Sequence, residues 1–209
     1  MTYMAVICMK MRFENEDDFR LFKEELKHRL ARHSIRTMES DGYRRSAVKI
    51  LIMNKENEPH VLLTKRTHKV STHKGQISFP GGGYDEGDGE ILNTALRETY
   101  EEVGIPAEAI EYIGQFDDYV SIFGHHVSCF VGAITHPFPY EFNDDEISDY
   151  VEAPLRLFVN REYERLQTYQ HEGKDYTVYH YLFNGYEIWG LTARILTDFA
   201  GKIMSEVHE

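Results

Sequence analysis

Apolar residues recur along this chain in two rhythms. In residues 14–34, ENEDDFRLFKEELKHRLARHS, Phe19, Phe22, Leu26 and Leu30 fall three or four apart. That spacing predicts an amphipathic helix, and its early acids suit the positive end of a helix dipole. SAVKILIMN (46–54) and HVLLTKRT (60–67) are instead β-rich runs around the turn KENEP, and they predict two strands. A polar stretch leads into FPGGGYDEGDGE (79–90), a loop carrying five glycines. Helical spacing resumes from Glu90 to Gly104, with Gly104 placed to cap the C-terminus. IEYIGQFDDYV and HHVSCFVGAI predict strands, HPFPYEFNDDEIS a loop, and EAPLRLFVN the start of a short helix. YTVYHYLFNGYEIWG predicts a hairpin turning on Asn184-Gly185, and LTARILTDFAGKIM a closing helix. Strands and helices alternate irregularly, so the expected class is α+β with a mixed sheet. Residues 1–12 are expected to be an extension, strand or disordered, before a single domain over 13–209.

Composition narrows the partners. The 209 residues carry a formal charge of −12, with 42% hydrophobic and 28% charged residues. A surface that tracks nucleic-acid phosphates is normally basic, so general nucleic-acid binding is not expected. A small anionic ligand stays compatible, because a bound metal ion reverses the local sign. Cys8 and Cys129 lack metal-ligand spacing and predict buried thiols. MAVICM is too short to span a membrane and lacks the flanks of a signal peptide, so no membrane partner and a cytoplasmic address are expected.

The stretch RETYEEVGI (97–105) carries the candidate chemistry. On a helix, Leu92, Ala95, Leu96, Thr99 and Val103 share a buried face. Glu98 and Glu102 stack at i and i+4 on the neighbouring face, and so do Arg97 and Glu101. Glu101 therefore has a partner in sequence, whereas Glu98 and Glu102 do not. A solvated acidic face is one explanation. A divalent hard cation is the other, since Mg²⁺ takes few protein oxygens and completes its shell with water and phosphate. Gly81, Gly82 and Gly83 just before the helix favour the cation, because they let backbone approach a ligand closely.

These residues resemble the Nudix box, G-x5-E-x7-R-E-U-x-E-E-x-G-U, with U a bulky apolar residue. From Gly82, five residues lead to Asp88 in place of Glu, and eight rather than seven then separate it from Arg97. The resemblance implies that Glu98 and Glu102 bind Mg²⁺ or Mn²⁺, with the Gly82 carbonyl a further ligand. It implies that Arg97 and Glu101 orient the helix and its acids, and that the first acid holds the loop to the helix. The implied fold is an α/β/α sandwich with a mixed sheet between helices.

LLTKRTHKVSTHKGQISFPGG (62–82) is similar to the signature of the coenzyme A pyrophosphatases within that family, L-L-T-x-R-[SA]-x3-R-x3-G-x3-F-P-G-G. Leu62, Leu63, Thr64, Arg66, Gly75 and 79–82 fall in register, while Thr67 and Ser71 depart from it. The implied reaction is hydrolysis of CoA or acyl-CoA to 3',5'-ADP and the 4'-phosphopantetheine product. Arg66, Lys65, Lys69, His73, Lys74, Gln76, Gly81 and Gly82 are the candidate substrate contacts. Arginine suits bidentate phosphate contact, so Ser71 in place of the second arginine favours a rival dinucleotide substrate such as ADP-ribose or NADH. A non-catalytic nucleotide sensor is a third reading, which the complete acidic set disfavours. Glu146 in NDDEIS and Glu101 are the alternatives for the general base. His125 and His126, adjacent on a strand, point to opposite faces and are expected to be structural, and Trp189 to be core. A homodimer is left open.

Overall fold

The computed structural model describes residues 9–67, 75–171 and 173–205. Helix α1 (Glu16–Arg32) starts at Asn15, whose side chain accepts from the Asp18 amide. Strands β1 (Arg44–Lys55) and β2 (Glu58–Arg66) form a hairpin whose two turn residues, Glu56 and Asn57, both take positive φ. Next come β3 (Ile77–Ser78), β4 (Gly81–Gly83), helix α2 (Ile91–Val103), β5 (Glu111–Gln115), β6 (Tyr119–Val120) and β7 (His125–Ala133). Strand β8 (Ile147–Pro154) and helix α3 (Arg156–Val159) follow, then β9 (Arg165–His171), β10 (Lys174–Phe183), β11 (Tyr186–Trp189) and α4 (Gly190–Phe199).

The larger sheet is mixed. Its order is β3-β2-β1-β7-β5, with β4 on β1, β6 on β7 and β8 on β2. The pairing of β1 with β7 is parallel and the others are antiparallel. Strand β1 is buried on both faces, and strand alternation divides its side chains between two cores. Ile50 and Ile52 join Val61, Leu63, Cys129 and Val131 under α1 and α4. Leu51 and Met53 join Leu62 and Val103 under α2. Helices on both faces of a mixed sheet make the α/β/α sandwich that the sequence led us to expect.

Three local readings change, and one strand is new. Gly81–Gly83 is a short strand rather than loop, because β1 extends past β2 and offers its open edge to the glycines. Glu152–Pro154 closes β8 rather than opening a helix. Residues 165–171, which lack a clear alternation, become β9 by pairing with β10 in a separate three-stranded sheet. Trp189 is exposed: its neighbour Ile188 points into the core, so alternation turns the indole outward onto His180. The Asn184-Gly185 hairpin forms as expected, and Gly104 caps α2 in the left-handed conformation. Met9 is buried in the main core. Residues 1–8, including Cys8, lie outside the described residues.

Candidate active site

The site is assembled where β4, the end of β2 and the loop before β8 meet α2. Pairing of Ala47 with Gly82 and of Val48 with Gly81 lays the glycine strand against the acidic helix. A Cβ at position 82 would stand 2.5 Å from the Glu98 carboxylate, so only glycine leaves room for that side chain. The Gly81 amide donates to Glu102 Oε2 at 3.3 Å. From the end of β2, Arg66 Nη1 donates to Glu102 Oε1 at 3.2 Å, and Nη2 lies 3.8 Å from Glu146 Oε2. The loop carrying Glu146 is anchored to α2, since the Asn143 amide donates to the Glu102 carbonyl and the Glu141 amide to the Val103 carbonyl. Asn143 Nδ2 in turn donates to Glu146 Oε1 at 3.4 Å.

Arg97 fastens the loop to the helix. Its Nε and Nη2 donate to the two oxygens of Asp88, at 2.8 and 3.1 Å. Nη1 reaches Glu98 at 2.9 Å and Glu101 at 3.0 Å, and Nη2 also reaches the Gly83 carbonyl at 3.0 Å. Asp88 additionally accepts from the Thr94 hydroxyl at 2.7 Å and the Asp85 amide at 3.0 Å. The Arg97 fork is the main reason that the Asp88 carboxyl is held well below the usual carboxylate range. The alignment that starts from Gly82 thus puts an acid where the first acid of the box is expected, and the extra loop residue is absorbed in the short turn Glu86–Asp88.

Glu98 and Glu102 are not partnerless, as their spacing suggested. Glu98 is reached by Arg97, its neighbour in sequence, and Glu102 by Arg66, 36 residues earlier on another element. Spacing within one helix cannot display the second of these partners. Glu102 is only 1% exposed, and burial pushes its carboxyl up to about 8 against the pull of Arg66 and the Gly81 amide. Burial also raises the Glu98 carboxyl, and Glu146 adds repulsion to both. Desolvated acids that repel one another favour a cation between them. Among the described residues no three acidic, histidine or cysteine side chains form a ready-made metal cage.

The other candidates divide. Lys65 points to the opposite face of β2 from Arg66, with its ammonium 5.4 Å from the Tyr186 ring centre. Gln76 lines up beside Arg66, whose amide donates to the Gln76 carbonyl at 3.0 Å. Lys69, His73 and Lys74, with Ser71, lie outside the described residues. His125 bonds to the Ser46 hydroxyl at 2.8 Å while His126 faces Asp118 at 3.2 Å, so the pair diverges as strand geometry requires. Asn143 carried no signal in the sequence, because its bonds to the Glu102 carbonyl and to Glu146 arise only where the loop meets α2.

Comparison with known proteins identifies the family. The NUDIX domain model matches residues 43–179. The uncharacterized Nudix hydrolase NudL of Escherichia coli O1:K1 is 37% identical over 167 residues, covering 79% of this chain and 85% of its own length. The same figures hold for NudL of Shigella boydii serotype 18. Among solved structures, a C. elegans Ap4A hydrolase in a binary complex aligns with a TM-score of 0.47 at 18% identity, over 53% of this chain and 80% of that one. The NUDIX domain of Shewanella oneidensis NrtR complexed with ADP ribose gives 0.46 at 20%, over 56% and 77%. The matched domain contains the whole site from Arg66 to Glu146, and the chain belongs to the Nudix family of hydrolases.

Proposed function

We infer that the protein is a metal-dependent pyrophosphohydrolase that cleaves CoA or acyl-CoA to 3',5'-ADP and the matching 4'-phosphopantetheine. The observation that carries this reading is the convergence of Glu102 and Glu146 on one guanidinium, Arg66, beside a glycine strand that lies against Glu98. Glu98 and Glu102, with the Gly82 carbonyl, would hold Mg²⁺ or Mn²⁺, which supplies charge neutralisation for a diphosphate and a more acidic water. Arg66 binds a phosphoryl oxygen of the substrate. Glu101 is engaged by Arg97, whereas Glu146 faces the buried acids, so Glu146 takes the part of general base. Arg97 and Asp88 position Glu98 without touching the substrate.

The CoA assignment rests on the signature residues from Leu62 to Gly82. Ser71 in that signature supports a second reading, hydrolysis of another dinucleotide such as ADP-ribose or NADH. A product assay separates them. Purified protein with Mg²⁺ or Mn²⁺ is offered CoA, ADP-ribose and NADH separately, with chelator controls. Fastest release of 3',5'-ADP from CoA, stopped by chelator, is the expected result. Intact CoA alongside cleaved ADP-ribose or NADH would move the assignment to the second reading.

A further inference from the structure

Arg66 stands between two roles that oppose each other. Its Nη1 lies 3.2 Å from Oε1 of Glu102, and the other oxygen of that carboxylate already accepts from the Gly81 amide. A cation approaching Glu102 therefore meets a fixed positive charge a few ångströms away, in a place where Glu102 is 1% exposed and water screens little. The same guanidinium has capacity to spare. Among the described residues its buried Nε donates to no group, and Nη2 makes a 3.8 Å ion pair with Glu146 and no hydrogen bond. A guanidinium fork with donors left over is suited to two oxygens of a phosphate.

We propose that Arg66 couples metal binding to diphosphate binding, by holding Glu102 against a divalent cation until an anionic diphosphate shares its charge. The inference rests on the metal site proposed above and adds a thermodynamic role that the site alone does not require. Metal affinity is low while the guanidinium is committed to Glu102 and Glu146. A diphosphate reaching the accessible part of the side chain, which is 22% exposed, neutralises it, and the metal then binds more tightly. By linkage, the metal strengthens diphosphate binding by the same factor.

The test measures Mn²⁺ affinity by calorimetry or electron paramagnetic resonance, with and without methylenediphosphonate, an uncleavable diphosphate. For the wild type, the diphosphonate is expected to tighten Mn²⁺ binding by about tenfold, within the usual range of coupling between sites. Arg66→Gln is expected to bind Mn²⁺ more tightly than wild type when alone, and to lose most of the gain from diphosphonate. Arg66→Lys, which keeps the charge without the fork, is expected to fall between them, and serves if the glutamine variant does not fold. Wild-type Mn²⁺ binding that is abolished by Glu98→Gln but indifferent to diphosphonate overturns the coupling alone. Equal or weaker Mn²⁺ binding by folded Arg66→Gln, with the full gain retained, also overturns it. Absence of Mn²⁺ binding under every condition overturns the proposed metal site itself.

Discussion

A methyl group at position 82 and one at position 81 would do different things, although the residues are neighbours. At 82 the atoms nearest to the added Cβ are those of the Glu98 carboxylate, at 2.5 Å, and that is the far end of a flexible side chain. At 81 it would collide with the backbone of Ala47 and lie 2.7 Å from the Val48 Cα, at a φ of +150° that side chains rarely adopt. Gly82→Ala is therefore expected to fold with nearly unchanged melting temperature while turnover drops by at least about tenfold, because the proposed metal ligand Glu98 is displaced. Gly81→Ala is expected to lose about 2 kcal/mol or more of stability. Parallel melting curves and assays of the two variants check this, and an active, folded Gly82→Ala would dismiss Glu98 as a ligand. Glu98→Gln and Glu102→Gln should each remain folded by circular dichroism and lose most turnover; normal turnover in either would remove it from the site. At this scale the three glutamates were legible, since their relation is fixed by helical spacing within five residues. The bond from Arg66 to Glu102 was not, since only the meeting of β2 with α2 creates it. Arg66 read alone shows an anion-binding charge and nothing of the carboxylate it holds.

The helix α2 was readable from end to end because its periodicity and its cap are local. The strand β4 was not, because glycine has little preference for a strand and the pairing is imposed by β1. The same holds for β9, which owes its conformation to β10. What joins α2 to the loop before it is the Asp88–Arg97 pair, and that joint is testable. Glu90, the residue preceding α2, makes no side-chain cap, so the loop depends on Asp88 for its attachment to the helix. Asp88→Asn keeps the shape but removes the charge that both Arg97 nitrogens seek. The expected outcome is a loss of activity of about ten- to a hundredfold, typical when a group that orients a ligand is removed. Hydrogen exchange should speed up at the Asp85, Gly87 and Asp88 amides, which bond within that turn. Unchanged exchange and activity would show that the Gly83 carbonyl and Glu98 hold Arg97 by themselves.

In the whole molecule, β1 is the strand that both cores share, and it carries a charge that no carboxylate among the described residues pairs. Lys49 alternates with Ala47 and Leu51 on the α2 face and is 1% exposed. Its stem runs past Gly132 of β7, where a Cβ would stand 3.2 Å from the lysine Cε. Its ammonium sits 5.3 Å from the Tyr112 ring centre and 5.9 Å from that of Phe130. Among the described residues no carboxylate pairs with it. The sequence showed Lys49 as one polar residue within a strand and not how deep that strand lies, because burial on both faces follows from the order of the sheet. Burial pushes the ammonium down to about 8 from its ordinary 10.5. Below about pH 8 both folded and unfolded chains carry the proton, and the folded one bears the full penalty of the buried charge. Between about 8 and 10.5 the unfolded chain binds more protons than the folded one, so this lysine's contribution makes stability rise with pH there. The penalty is at most about 3 kcal/mol, offset in part by the two rings. Lys49→Met keeps the length and removes the charge, so it should raise the melting temperature by several degrees at pH 7. Urea unfolding of both proteins at neutral, mildly alkaline and strongly alkaline pH isolates the effect, because other titrating groups cancel in the difference. The advantage of the methionine variant should be constant up to about pH 8 and shrink towards pH 10. A difference that stays flat across that range, or a variant less stable throughout, would mean that the ammonium reaches solvent or a partner and is not a cost to the fold.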